Sequence, residues 1–126
     1  MCLLLWSRRE ADWSVVGVAG ELDIATDGQL RDCLNRTITG HGRPVRMIID
    51  LSELSFCDAS GLGVLVGAYH QTKRFGGRMR LVCPEGRVLR LLRIAELTDL
   101  LPVYGSIPAA LTDPTGTGLP PSAAAR

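Results

Sequence analysis

A nearly continuous apolar run at residues 45–51 sets the strongest constraint on how this chain can fold. The run reads VRMIIDL, and only Arg46 and Asp50 interrupt it. A strand with one face in water would alternate apolar and polar residues, whereas this pattern is typical of a strand covered on both faces in a parallel sheet. We therefore expect a central strand here, with helices packed on the sheet.

The residues before this run predict a hairpin and then a helix. Two β-prone runs at 3–6 and 13–19 are separated by a polar stretch, which is typical of a β-hairpin. After Gly20 the apolar spacing becomes helical. We expect four apolar residues to share one face of this first helix: Ile24, Leu30, Leu34 and Ile38.

The residues after the central strand alternate between strand and helix patterns. Helical spacing over 62–69 ends at Gly76-Gly77, a strand pattern covers 78–83, and a helical pattern covers 84–97. A short strand at 100–104 and part of a helix at 107–111 complete the series. We expect a single α/β domain at 1–112, with a mixed central sheet, an N-terminal hairpin and crossover helices packed on it.

The C-terminal residues differ in composition from this domain. Residues 113–126 consist almost entirely of Thr, Gly, Pro, Ser and Ala. Such a segment has too little apolar surface to offset the entropy lost on ordering. We predict a disordered tail at 113–126.

Composition and charge exclude several classes of protein. The 126 residues carry a net charge of +1, which gives no electrostatic footprint for nucleic acid. No apolar run approaches the ~20 residues of a membrane span, and charge follows the apolar residues 1–6 instead of preceding them as in a signal peptide. The four cysteines form no Cys-x-x-Cys pair, and there are only two histidines. We expect a cytoplasmic protein with reduced thiols, no metal site and no cofactor.

Enzyme motifs are missing as well. The sequence has no Gly-x-Ser-x-Gly, no phosphate-binding Gly-x-x-x-x-Gly-Lys-Ser/Thr and no Gly-x-Gly-x-x-Gly. Asp50 ends a buried strand as the acceptor of a phosphoaspartate receiver domain does. However, the chain lacks the acidic pair that would bind Mg²⁺ there, and it has no lysine beyond Lys73. We expect a protein that is not an enzyme.

Polar residues follow two of the predicted strands. Asp58 and Ser60 come between the central strand and the next helix, where either side chain can cap the helix. Glu21 and Asp23 come where the hairpin gives way to the first helix. Open α/β sheets place recognition surfaces at the carboxyl ends of strands, so we expect these four residues to share one end of the sheet. A plain capping turn with no partner is the alternative.

These segments together resemble a known family. The sequence is similar to STAS domains, specifically to bacterial anti-sigma factor antagonists, over about residues 10–112. The similarity is carried by five segments: Gly20-Glu21-Leu22-Asp23, Asp50-Leu51-Ser52, the run FCDASGLGVL at 56–65, Gly76-Gly77 and Arg80-Leu81-Val82-Cys83.

The resemblance implies a switch protein without catalytic activity. Such an antagonist binds an anti-sigma factor with a histidine-kinase-like ATPase fold and thereby releases a sigma factor. The anti-sigma factor often acts as a serine kinase that switches the antagonist off, and a PP2C-type phosphatase reverses the modification. The resemblance places the partner interface at seven residues: Glu21, Asp23, Asp58, Ala59, Ser60, Gly61 and Leu62.

One position departs from the family pattern. The residue after the aspartate is normally the Ser or Thr that is phosphorylated, but here it is Ala59, and Ser60 follows it. Either Ser60 has become the phosphoacceptor, or the protein is not phosphorylated and stays competent to bind. A third reading keeps the fold and makes the chain a STAS scaffold or interaction module in a larger signalling assembly.

Overall fold

The computed structural model describes residues 2–40, 44–114, 116 and 118. Strands and helices alternate after an initial hairpin. The elements in chain order are β1 (Leu3–Glu10), β2 (Trp13–Leu22), α1 (Asp27–Thr39), β3 (Arg46–Cys57), α2 (Ala59–Arg74), β4 (Arg78–Val82), α3 (Arg87–Ile94), α4 (Leu97–Leu100), β5 (Val103–Tyr104) and α5 (Ile107–Thr112).

The five strands form one mixed sheet in the order β1-β2-β3-β4-β5. β1 pairs antiparallel with β2, and the other neighbouring pairs are parallel. The β2–β3 ladder runs from Ser14↔Met47 to Leu22↔Cys57, with register shifts near its carboxyl end. β2 and β3 therefore end side by side.

The larger core lies between one face of the sheet and helices α1, α2 and α3. Met47 and Ile49 of β3 are fully buried there, and α1 contributes Leu30, Leu34 and Ile38 to the same cluster. Because short turns join β2 to α1 and β3 to α2, the first turns of both helices lie beside the carboxyl ends of those strands.

A smaller core covers part of the opposite face. Ile48 and Val82 of the sheet pack there with Trp13, Tyr104 and Ala110, the last of which belongs to α5. Successive residues of β3 thus enter different cores, as expected for a strand buried on both faces.

The mixed α/β architecture, the N-terminal hairpin and the buried central strand are confirmed. Two details of the prediction that bear on the site were wrong. β3 continues to Cys57, six residues beyond the predicted apolar run, because its second half extends the ladder with β2. Ile24 does not join the core face of the first helix: it lies in the turn before α1 and is 80% exposed.

The tail predicted at 113–126 lies largely outside the described residues. Of the described part, Asp113 accepts a hydrogen bond of 2.7 Å from the Tyr104 hydroxyl. Among the residues that the structure describes, no helix has both the length and the apolar character needed to cross a membrane.

Candidate functional site

The predicted site residues meet at the carboxyl ends of β2 and β3. Leu22 and Cys57 are paired as the last residues of these strands, so Asp23 and Asp58 follow at the same edge. The backbone amide of Asp58 donates to the carbonyl oxygen of Leu22 over 3.2 Å, which holds the two turns together. The structure thus brings Glu21, Asp23, Asp58 and the start of α2 to one end of the sheet.

Asp58 is the N-cap of α2. Its backbone is extended, and its carboxylate accepts a 3.0 Å hydrogen bond from the Gly61 amide. The Ser60 hydroxyl donates to the same oxygen over 2.7 Å. The hydrogen bond from Ser60 is the main cause that lowers the pKa of Asp58, followed by the bond from Gly61, with a further contribution from the amide of Ile24. Asp58 is therefore a well-held negative charge at neutral pH.

Ala59 and Ser60 differ in their surroundings. Ala59 is the first residue of α2, and it is exposed. Ser60 is half-buried, and its hydroxyl is already bonded to Asp58. The position that the resemblance assigns to the usual phosphoacceptor thus presents a methyl group to solvent, and the neighbouring hydroxyl belongs to the cap.

Asp23 is a buried residue of the turn between β2 and α1. Its carboxylate accepts hydrogen bonds from the Ala25 amide at 2.9 Å and from the Thr26 amide at 3.1 Å. The Thr26 hydroxyl also lies 3.2 Å from the same oxygen and donates over 2.8 Å to the carbonyl of Glu21. Asp23 consequently shapes the turn that displays Ile24, and Glu21, at the end of β2, is half-buried.

Gly61 and Leu62 connect the site to the core. A Cβ at Gly61 would lie 2.7 Å from Cγ of Leu22 and 2.9 Å from Sγ of Cys57, so only glycine fits there without a shift. Leu62 is half-buried and packs against the larger core. Leu62 therefore has a structural role in addition to its predicted place in the interface.

Three exposed apolar side chains near this end of the sheet were missed by the sequence reasoning. Ile24 is 80% exposed, Phe56 42% and Ile94 74%. Phe56 and Ile94 line a cavity of about 270 Å³ between the end of β3 and α3, which Arg87 and Arg90 also line. Helical and strand spacing predicts which apolar residues are buried. It does not indicate which apolar residues are exposed on the surface.

The thiol of the cysteine next to Asp58 is buried. Burial, and to a lesser extent the charge of Asp58, raises the pKa of Cys57 to about 11. Burial likewise raises the pKa of Cys83 to about 12. Since the thiolate is the reactive form, both thiols are poor nucleophiles at neutral pH. Among the described residues no three His, Cys, Asp or Glu side chains group so as to hold a metal ion.

The arrangement is suited to binding. The described part of the site presents a capped helix N-terminus, the charge of Asp58 and the apolar surface of Ile24 and Phe56. Exposed apolar groups beside fixed charges are typical of protein interaction surfaces. Fold and site together define a small α/β domain with a candidate recognition surface at the carboxyl ends of its strands.

Comparison with known proteins identifies the family. The model of the STAS domain family matches residues 8–110. The chain is 33% identical over 96 residues to the anti-sigma-B factor antagonist of Listeria monocytogenes, covering 76% of this chain and 82% of that one. It is 34% identical over 88 residues to the anti-sigma-B factor antagonist of Bacillus subtilis, covering 70% and 78%. This chain belongs to the STAS domain family.

A solved structure supports the same assignment. The crystal structure of an anti-sigma factor antagonist from Mycobacterium paratuberculosis superposes with a TM-score of 0.79 at 25% identity, covering 88% of this chain and 92% of that one. The resemblance stated from the sequence motifs is confirmed, both for the STAS domain and for relatives that are anti-sigma factor antagonists.

Proposed function

We propose that this protein is an anti-sigma factor antagonist that acts by binding and not by catalysis. The observation that carries the proposal is the cap of α2, where Asp58 holds Ser60 and Gly61 beside the exposed Ile24, in a chain whose relatives bear that function. The interface comprises the surface formed by Glu21, Asp23, Asp58, Ala59, Ser60, Gly61 and Leu62, and Ile24 and Phe56 extend it.

The chemistry of this surface specifies its partner. A partner that buries Asp58 must supply a cation or hydrogen-bond donors, because an unpaired buried carboxylate is strongly unfavourable. It must also supply apolar groups that cover Ile24. The family resemblance makes this partner an anti-sigma factor with a histidine-kinase-like ATPase fold, in the cytoplasm, whose capture releases a sigma factor.

Ser60 is the candidate phosphoacceptor. A phosphate there would carry about −1.5 to −2 charge at the N-terminus of α2, where backbone amides and the helix dipole stabilise anions. It would also replace the hydroxyl that donates to Asp58 and place like charges side by side. The fold can accommodate this charge, whereas a docked partner would have to desolvate it. A PP2C-type phosphatase would then restore the binding form.

The exposed methyl group of Ala59 favours a second candidate. Without a hydroxyl at this position the surface could remain in its binding state permanently, as in a STAS scaffold of a larger signalling assembly. Such a scaffold would associate with other STAS or sensor proteins and would not respond to a kinase.

Affinity capture from the native cell tests the proposal. The baits are the unmodified protein, Ser60→Asp, and Ser7→Asp as a matched control that adds the same charge to an exposed residue of β1. We expect the unmodified bait and Ser7→Asp to capture an ATPase-fold anti-sigma factor, and Ser60→Asp to lose it. Capture by all three baits would show that charge at residue 60 does not act as a switch. Recovery of STAS or sensor proteins alone would favour the scaffold.

A further inference from the structure

A second concave site lies at the other end of α2. It is a cavity of about 240 Å³ whose lining includes Lys73, Arg78 and Arg80, together with Tyr69 and Gly116. Lys73 is in the last turn of α2, fifteen positions after Asp58, which corresponds to about 22 Å along a helix. The cavity is therefore separate from the proposed partner interface.

None of the ion pairs found among the described residues includes the three cations of this cavity. The ion pairs within the described part of the chain join Arg8–Glu10, Arg31–Asp27, Arg46–Asp12 and Arg93–Glu85. No acidic residue is among the described residues that line the cavity. Asp113 bonds to the Tyr104 hydroxyl and does not line it.

Arg80 is held in place as a buried cation. Arg80 is only 3% exposed. Its guanidinium carbon lies 4.5 Å from the ring centre of Trp13 and 5.4 Å from that of Tyr104. Arg80 donates a hydrogen bond to the carbonyl of Ala110. A guanidinium has five N–H donors, and aromatic faces compensate its charge only in part. An anion in the cavity would supply a counter-charge.

Three carbonyls at the end of α2 are satisfied within the protein. The Gln71 carbonyl accepts a 3.2 Å hydrogen bond from the Phe75 amide. The Thr72 carbonyl accepts one of 2.9 Å from the Gly77 amide, and the Lys73 carbonyl accepts one of 3.0 Å from the Gly76 amide. These carbonyls are therefore engaged inside the protein and are not free acceptors directed at a ligand.

We propose that this cavity binds a small, water-soluble phosphate-bearing anion, either inorganic phosphate or a phosphomonoester. A phosphate dianion matches a cavity lined by three cations, and guanidinium groups are suited to its oxygens. The volume lies below the ~300 Å³ at which sites for drug-sized ligands begin, which favours a compact ligand. This inference is independent of the proposed function.

The test is a calorimetric titration of the whole protein with inorganic phosphate and with glycerol 3-phosphate, at ionic strength held constant with chloride. The variants are Lys73→Gln and Arg78→Gln, which leave the buried Arg80 untouched. Arg74→Gln is the matched control, since it removes the same charge from an exposed neighbour in α2 that does not line the cavity. We expect saturable binding that weakens about tenfold or more in each cavity variant and stays unchanged in the control.

The outcomes separate a site from diffuse charge. Nuclear magnetic resonance shifts confined to Gly76, Gly77 and Gly116 during the titration would support the site. Equal weakening in Arg74→Gln would overturn it in favour of a net-charge effect, and so would the absence of saturable binding. The protein could also sediment with phosphatidic acid vesicles while binding neither inorganic phosphate nor glycerol 3-phosphate. That result would contradict the proposal that the ligand is water-soluble.

Discussion

The hydroxyl of Ser60 donates a 2.7 Å hydrogen bond to the carboxylate of Asp58, the residue that caps the same helix. One carboxylate thereby serves both the fold and the candidate recognition surface. A modification of the Ser60 hydroxyl would remove the donor of this bond. It would therefore act directly on the neighbouring carboxylate of Asp58. This is a local mechanism that needs no movement of the domain.

Replacing the cap should separate its structural role from its charge. Asp58→Ala removes the acceptor for the Gly61 amide, so we expect the midpoint of thermal unfolding to fall by a few degrees. Asp58→Asn keeps a capping oxygen and removes the charge, so its midpoint should stay close to that of the unmodified protein. Calorimetric melting of the three proteins checks this. Equal losses in both variants would show that the negative charge, not the cap, stabilises α2.

Two glycines of α2 should respond in opposite ways to the same change. In Gly61→Ala the new methyl group would meet Leu22 and Cys57, so we expect a clear loss of stability of about 1–3 kcal/mol. At Gly63 a Cβ meets nothing within 4 Å, so Gly63→Ala should be neutral or stabilise by up to about 1 kcal/mol. Urea denaturation of both variants is the measurement. A stable Gly61→Ala protein would contradict the close packing at the helix start.

Arg80 should hold α5 against the sheet. Arg80→Gln removes the stacking on Trp13 and Tyr104 and the bond to the Ala110 carbonyl, so we expect about 1–3 kcal/mol of destabilisation. Amide hydrogen exchange should then accelerate first in α5. Arg78→Gln, on the same strand but exposed, should change stability by less than about 0.5 kcal/mol. Similar effects of the two substitutions would contradict the anchoring role.

The buried thiols should make the fold sensitive to alkali. The pKa of Cys57 is raised from its ordinary value of 9.0 to about 11, so the folded protein retains a proton that the unfolded chain loses above pH 9. The contribution of the protonated Cys57 thiol to the free energy of unfolding is fully present below pH 9 and is lost as the pH rises through about 11. Melting temperatures across this range should fall, and less steeply in Cys57→Ala. Cys2→Ala, which alters an exposed thiol, should behave like the unmodified protein; a flattened dependence there would argue against Cys57 as the source.

The sequence predicted the architecture well because burial leaves periodic patterns. The nearly continuous apolar run at 45–51 and the spacing of Leu30, Leu34 and Ile38 predicted a central strand and a core-facing helix, and both are present. Ile24 shows the limit of that reasoning. Its position fitted the helical period, but Asp23 and Thr26 form a hydrogen-bonded turn ahead of α1 and leave Ile24 outside the core.

The candidate site was predictable in its location but not in its contacts. Parallel strands end at one edge of a sheet, so Asp23 and Asp58 could be placed together from sequence order alone. Spacing could not show that Asp23 is buried within its own turn while Asp58 caps the next helix. Spacing also could not show that Phe56 and Ile94 line the same cavity, because this depends on how α3 packs against β3.

Release of a sigma factor from its anti-sigma factor tests the central claim most directly. The purified complex of the two native proteins is mixed with this protein, and free sigma factor is measured by transcription from its promoter. We predict that the unmodified protein and Ser7→Asp restore transcription as their concentration rises, while Ser60→Asp does so weakly or not at all. A complex that stays intact with the unmodified protein in excess would contradict the assignment of this chain as an anti-sigma factor antagonist.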